Sequence, residues 1–494
     1  MNTPQFDAII VGCGFGGMGA AIQLRKSGVQ NILMLDRADD LGGTWHLNSY
    51  PGLAVDIPSS TYSFSFELNP NWSRMYAPGT ELKAYTQHVA GKYGLKPLMR
   101  FNVDVQQVQY DEAGKFWTVH AKNAAPLTAR LLVLATGYLS QPQLPNIPGI
   151  ESFRGKVIHT SAWDHGYDLA GKRAAVIGTG ATAVQLLPEI APKLAHLDVY
   201  QRTPIWVSAK FDPPISERTR RLYARFPFLQ RLLRWFTSGI LELMIVTGVL
   251  FNRQMPGITR FMERECLKHL HRQIPDPALR EKLTPKYSFG CKRPTFSNSY
   301  YRTFLRPNVE LVTDRIERIE PDGIVTADGK KRAIDTLVCA TGFSLWEKNF
   351  PAVQVLGKGG RDLGAEWRRT RFSSYEGIAS PGFPNLFNLP SPYSYNGLSF
   401  FTTIETQMKH MGRLLKEMRK RGAVTFEPRE DAQTAYTDDM RQRLTRSVFL
   451  FGNCASANSY YFDSHGDPAM LRPTGTFSAF FRARTFPLSD YAFE

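Results

Sequence analysis

At 494 residues, 43% of them apolar and 21% charged, the chain is long enough for two to four globular domains with a sizeable core. Against 44 acidic residues stand 60 basic ones, a net charge of +16, but no arginine-rich block with interleaved aromatics accompanies the excess; this argues against nucleic acid and leaves anionic cofactors or anionic lipid as partners. Its five cysteines stand singly with no Cys-x-x-Cys pair, which argues against a zinc or thiol-redox motif and a secreted disulfide framework and sets the expectation of a reducing, cytoplasmic setting.

From Met1 the chain enters the apolar run FDAIIV (6–11) almost at once, so the expectation is that no signal peptide precedes it. Such a run predicts a strand buried on both faces. It leads into Gly12-Cys13-Gly14-Phe15-Gly16-Gly17 and a predicted helix over 18–27. Gly12 permits the tight turn, Gly14 lets the backbone approach a pyrophosphate, and Gly17 lets helix and strand pack closely. The free N–H groups of that helix then face the phosphates. A second apolar strand over 31–35 ends in Asp36, placed to accept hydrogen bonds from a ribose hydroxyl.

The same grammar returns at RAAVI (173–177), followed by Gly178-Thr179-Gly180-Ala181-Thr182-Ala183, a helix to about residue 190 and a strand over 197–201. At the offset from Gly178 that Asp36 has from Gly12 stands Arg202, whose guanidinium suits a 2′-phosphate that an acid would repel. Each unit has a later strand with a like ending, 131–135 before Thr136-Gly137 and 336–340 before Thr341-Gly342. The expectation is an α/β protein with two Rossmann-like units, FAD in the first and NADPH in the second, placed so that a hydride can cross between them.

Between about 208 and 287 the pattern turns basic, apolar and helical, with Arg218, Arg220, Arg221, Arg225, Arg231 and Arg234 beside Leu232, Leu233, Trp235 and Phe236. The apolar stretch 239–251 contains Glu242 and is shorter than the roughly 20 residues that span a bilayer, so a spanning helix is not expected. Two roles stay open for this insertion: walling a substrate cavity, or resting as a basic amphipathic surface on anionic lipid. The expected division is 1–150 and 375–494 for FAD, the latter with a substrate loop, 151–208 and 288–374 for NADPH, and 209–287 for the insertion.

Phe153-Arg-Gly155-Lys-Val-Ile-His159-Thr-Ser-Ala-Trp163-Asp164 resembles the fingerprint FxGxxxHxxxW of the type I Baeyer-Villiger monooxygenases. The likeness extends to Gly42-Gly43-Thr44-Trp45, Tyr50-Pro51-Gly52 before Asp56, Cys291-Lys292-Arg293-Pro294 and Pro381-Gly382-Phe383-Pro384. It implies that reduced flavin and O2 form a C4a-peroxide whose anion attacks a ketone, giving an ester or lactone. Arg293 matches the family's active-site arginine, and Asp56 an aspartate that orients it. Thr44, Trp45 and Tyr62 would line the flavin, joined by Phe15, Arg37, Gly43 and Val105; Arg202, Thr203 and Lys292 would hold the 2′-phosphate. His159 is expected to order the linker between the nucleotide domains, and Trp163 to serve as a packing anchor. The substrate loop departs from the tryptophan-rich versions of many relatives at 458–461 and 471–473. Oxygenation of sulfides or amines, and electron transfer to a protein acceptor, are the competing activities; the second would need no Arg293.

Overall fold

The computed structural model describes residues 3–494. Strand β1 (Phe6–Val11) buries Ala8–Val11 completely or nearly so, as its apolar run requires. At its end Gly12 turns at φ +114°, and a Cβ there would lie 2.3 Å from the carbonyl oxygen of Ala135. Only glycine fits. Helix α1 (Phe15–Lys26) follows, then β2 (Ile32–Leu35), β3 (Met99–Arg100), β4 (Val105–Asp111), β5 (Phe116–Ala121) and β6 (Leu127–Leu134). Strand β1 lies parallel between β6 and β2 in register Ile9↔Leu132 and Ile9↔Leu33, while β4, β5 and β6 form an antiparallel meander at one side.

The duplication inferred from the sequence is seen in the backbone. The second unit is an all-parallel sheet in the order β10-β9-β8-β11-β7, built from β7 (Lys156–His159), β8 (Arg173–Ile177), β9 (His196–Tyr200), β10 (Val309–Val312) and β11 (Thr336–Cys339), with α2 (Ala181–Ile190) after β8. Gly178 repeats Gly12 closely: φ is +112°, and an added Cβ would meet the Ala340 carbonyl oxygen at 2.4 Å.

The return to the first sheet comes earlier than the expected boundary at 375. Strand β12 (Gln354–Leu356) already pairs in parallel with β4, and β13 (Leu386–Asn388) then pairs with β6. A three-residue strand carries too little periodicity to announce which sheet it joins.

Residues 209–287 form helices: α3 (Glu217–Arg225), α4 (Pro227–Leu241), α5 (Pro256–Gln273) and α6 (Pro277–Leu283). Helix α4 continues through a π-helical turn, Glu242–Thr247, into Gly248–Leu250. The helical run therefore covers 24 residues, Pro227–Leu250, with a mean hydropathy of 1.4 over its most apolar window, enough to cross a bilayer by length and composition. The shorter stretch 239–251 underestimated it, because Arg231 and Arg234 interrupt the apolar run without ending the helix. Helix α7 (Phe400–Arg421) packs on α1, and α8 (Thr476–Thr485) packs on α7.

One cysteine expectation is corrected. Cys291 and Cys454, 163 residues apart, form a disulfide with a Cα–Cα distance of 5.2 Å, while Cys13, Cys266 and Cys339 are free and buried. Spacing along the chain carries no information about a pair that only the tertiary fold brings together.

Candidate functional site

Two helix starts are prepared for anions. Neither α1 nor α2 has a side-chain cap or an acidic residue in its first turn, so their leading N–H groups are left for a ligand. Gly17 is demanded by packing, since a Cβ would fall 1.9 Å from the Gly12 carbonyl oxygen. Gly180 is different: nothing in the protein would meet its Cβ, so the open space there suits close approach of a phosphate. Ala183 stands where the first unit has Gly17 and is wholly buried.

Over α1 opens a cavity of about 690 Å³. Of the residues predicted to contact flavin, Gly12, Gly14, Phe15, Asp36, Arg37, Gly43, Thr44, Trp45, Tyr62 and Val105 all line it. The Asp36 carboxylate accepts from Cys13 N at 2.7 Å and Ala38 N at 3.0 Å, which fixes it at the mouth of the turn. Arg37 donates to the Ser140 carbonyl oxygen and so closes one wall. Trp45 Nε1 donates to Tyr62 Oη at 3.1 Å, making a rigid aromatic corner. An elongated, glycine-floored cavity with an acid at the ribose position fits FAD.

Arg293 and Asp56 come from distant parts of the chain. Arg293 precedes the short strand Thr295–Phe296, which pairs with Val207–Ser208. Asp56 lies on a loop of the first domain that α2 holds in place: Gln185 accepts from Tyr50 Oη at 2.9 Å and donates to the Ala54 carbonyl at 2.9 Å. The two side chains meet bidentately, Arg293 Nε to Asp56 Oδ2 at 2.5 Å and Arg293 Nη2 to Asp56 Oδ1 at 2.9 Å. Arg293 Nη1 donates to Tyr395 Oη at 2.8 Å. Burial works against charge on both groups, but their pairing outweighs it: Asp56 is held below the usual carboxylate range and Arg293 well above its ordinary value. The pair is ionised across the working range of pH. Each side chain is about one quarter exposed, and both line a second, narrow apolar cavity.

The candidate 2′-phosphate site gathers at the end of β9. Thr179 Oγ1 donates to the Thr203 carbonyl at 3.0 Å, Arg202 is exposed, and Lys292 is close enough to Arg202 to feel its charge. Burial, with that neighbouring cation, pulls Lys292 down to about 8. A cation that grips phosphate is lost as pH rises through this value, so kcat/KM for NADPH should fall above pH about 8. Replacing Lys292 with arginine, charged at any working pH, should remove that break. A pH profile unchanged by the substitution would detach Lys292 from the phosphate.

His159 is held within the linker. Its Nδ1 meets Ser161 Oγ at 2.7 Å and its Nε2 lies 3.2 Å from the Gly342 carbonyl, so it fastens the linker to the turn after β11. Trp163 is half-buried against the second core. Tyr395, Asn458, Tyr461 and Leu471 escaped the sequence argument. Asn458 Nδ2 donates to Thr203 Oγ1 at 3.1 Å, and Tyr461 and Leu471 line the narrow cavity. The only signal for the last three was their place in the departing substrate loop; Tyr395 carried none.

Known proteins resemble this arrangement closely. The profile of the pyridine nucleotide-disulphide oxidoreductase family matches residues 9–225. A Baeyer-Villiger monooxygenase of Pseudomonas aeruginosa is 39% identical, covering 98% of this chain and 90% of its own length. One from Streptomyces coelicolor is 38% identical over 98% and 91%. Among solved structures, OTEMO in complex with FAD and NADP superposes with a TM-score of 0.88 at 27% identity over 100% of both chains. An oxidised steroid monooxygenase bound to NADP gives 0.87 at 29% identity over 99% of both.

Proposed function

Since the chain belongs to the Baeyer-Villiger monooxygenases, we propose that Arg293 is its catalytic cation and that Asp56 and Tyr395 position it. The protein is an FAD- and NADPH-dependent monooxygenase that inserts one oxygen atom of O2 into a ketone, giving an ester or lactone. Bound flavin, once reduced by the nicotinamide, supplies the activation of dioxygen. The chain's own part is electrostatic. Arg293, held from two sides, keeps a fixed positive charge facing the narrow cavity, where negative charge builds on oxygen and on the attacked carbonyl. Asp56 accepts from two guanidinium nitrogens and Tyr395 from the third, so the charge cannot swing away as ligands exchange.

The bidentate Asp56–Arg293 pair lining the narrow cavity carries this reading, because a reductase passing electrons to a protein acceptor has no use for it. Gly12, Gly14, Asp36, Thr44, Trp45 and Tyr62 are the flavin contacts of the proposal; Gly178 to Ala183, Arg202, Thr203 and Lys292 are those of NADPH. The apolar lining of the narrow cavity supports a hydrophobic ketone as substrate, and the use of NADPH as reductant supports the cytoplasm as the place of work.

NADPH-dependent oxygen uptake by the flavin-loaded enzyme, measured with linear, cyclic and aryl ketones, tests it. Esters or lactones carrying one atom from labelled dioxygen are expected. Hydrogen peroxide alone with every ketone, and sulfoxide or N-oxide from sulfides or amines, would overturn it.

A further inference from the structure

Helix α4 is amphipathic the wrong way round for a protein that keeps it in water. Three of its polar side chains face inward: Gln230 Nε2 donates to the Asn69 carbonyl at 2.6 Å, Arg234 Nη1 to the carbonyls of Ser60 and Ser63 at 3.0 and 2.9 Å, and Thr237 Oγ1 meets Ser60 Oγ at 3.2 Å. Arg234 is only 7% exposed. Phe228, Leu232, Trp235, Phe236, Ile240 and Leu243, recurring at helical spacing, face outward instead, with Trp235 74% exposed.

A second element extends the same face. The Glu242 carboxylate accepts from Thr476 N at 2.8 Å and Thr476 Oγ1 at 2.6 Å, so α8 starts against α4. One turn apart on α8, Phe477 and Phe481 are 77% and 68% exposed. Beside these aromatics run the exposed cations Arg218, Arg221, Arg225 and Arg231, of which, among the described residues, only Arg221 has an acidic partner. Apolar side chains pointing out, with arginines alongside, fit an acyl-chain boundary beneath anionic headgroups. Spanning is a different matter, since it would strip Gln230 and Arg234 of the carbonyls they hold.

The helix also leads inward. Its continuation supplies Leu241, Ile245, Val246, Val249 and Leu250 to the narrow cavity that Arg293 and Asp56 line. We propose that the enzyme seats itself peripherally on an anionic bilayer through the exposed faces of α4 and α8, and takes a lipophilic, bilayer-dissolved ketone along this apolar lining. The seating stands on the surface alone; the substrate clause rests on the ketone oxygenation proposed above.

The test uses full-length, flavin-loaded enzyme with vesicles of phosphatidylglycerol or of phosphatidylcholine. Binding to the anionic vesicles, weakened by salt, is expected, and the triple variant W235S/F236S/F477S should lower it by about tenfold or more. The variant should turn over a short, water-soluble ketone as the parent does, but lose about tenfold in rate on a long-chain ketone dissolved in vesicles. Absence of vesicle binding, or binding indifferent to the triple substitution, would sink the seating. Self-association abolished by the same substitutions without vesicle binding would assign the face to a second copy and also overturn it. Vesicle binding with no oxygenated product from any ketone would leave the seating intact and overturn the substrate clause together with the activity it rests on.

Discussion

Replacing Arg293 with alanine is expected to abolish oxygen insertion while NADPH oxidation through an artificial electron acceptor persists. The guanidinium is a preorganised charge facing a narrow, apolar-lined cavity, the setting in which losing one such donor costs about 10² to 10³ in rate. Arginine is also the only side chain whose charge survives burial at every working pH, and three of its nitrogens are already committed to Asp56 and Tyr395. Lysine at 293 should therefore recover little, having no fork to span both partners. The measurement is paired: product formed per NADPH consumed, and reduction rate with the acceptor. Equal loss of both would mean that Arg293 serves nicotinamide binding instead.

The second large effect is expected at Asp56. With alanine there, Arg293 keeps its charge but loses two of its three hydrogen bonds, and a buried charge stripped of its partner destabilises by about 3–5 kcal/mol when no water reaches it. Because the pair is about one quarter exposed to the cavity, the lower part of that range applies. Oxygen insertion should fall by about 10²-fold through kcat, with KM for NADPH little changed, as befits a residue acting through another. The double variant should be no slower than Arg293→Ala, since both changes remove one function. The acid limb gives an independent check. Asp56 titrates lower in the folded protein than in the unfolded chain, so its stabilisation is full above the unfolded value and is lost as pH falls through the folded one. The parent should thus lose more melting temperature on acidification than the variant. Identical acid profiles would count against the ion pair.

How far the sequence carried these conclusions depends on distance along the chain. Gly12, Gly178 and Asp36 were legible because a turn, a strand and a helix start lie within a few residues of one another and each demands its residue type locally. Their later partner strands were legible because apolar runs ending in Thr-Gly repeat. Tyr395 was not: it meets Arg293 across 102 residues, and a tyrosine in a loop looks the same whether its hydroxyl faces water or a guanidinium. The disulfide and the early return of β12 to the first sheet were hidden for the same reason. The helix of residues 227–250 was misjudged for another one: arginine is a good helix former, so the interruptions that shortened the apolar run left the helix unbroken.

Arg234 has one more consequence, for the order in which the molecule assembles. Its bond to Ser63 closes a loop of 171 residues, so the inward face of α4 has nothing to dock on until the flavin domain has already formed the loop around Tyr62. Contacts of such separation form late in folding. Until then the nascent chain carries a helix with arginine and glutamine unpaired on one side and a row of phenylalanine, leucine and tryptophan on the other. The insertion thus settles only after the loop it docks on, and until then its outer face is exposed to aggregation.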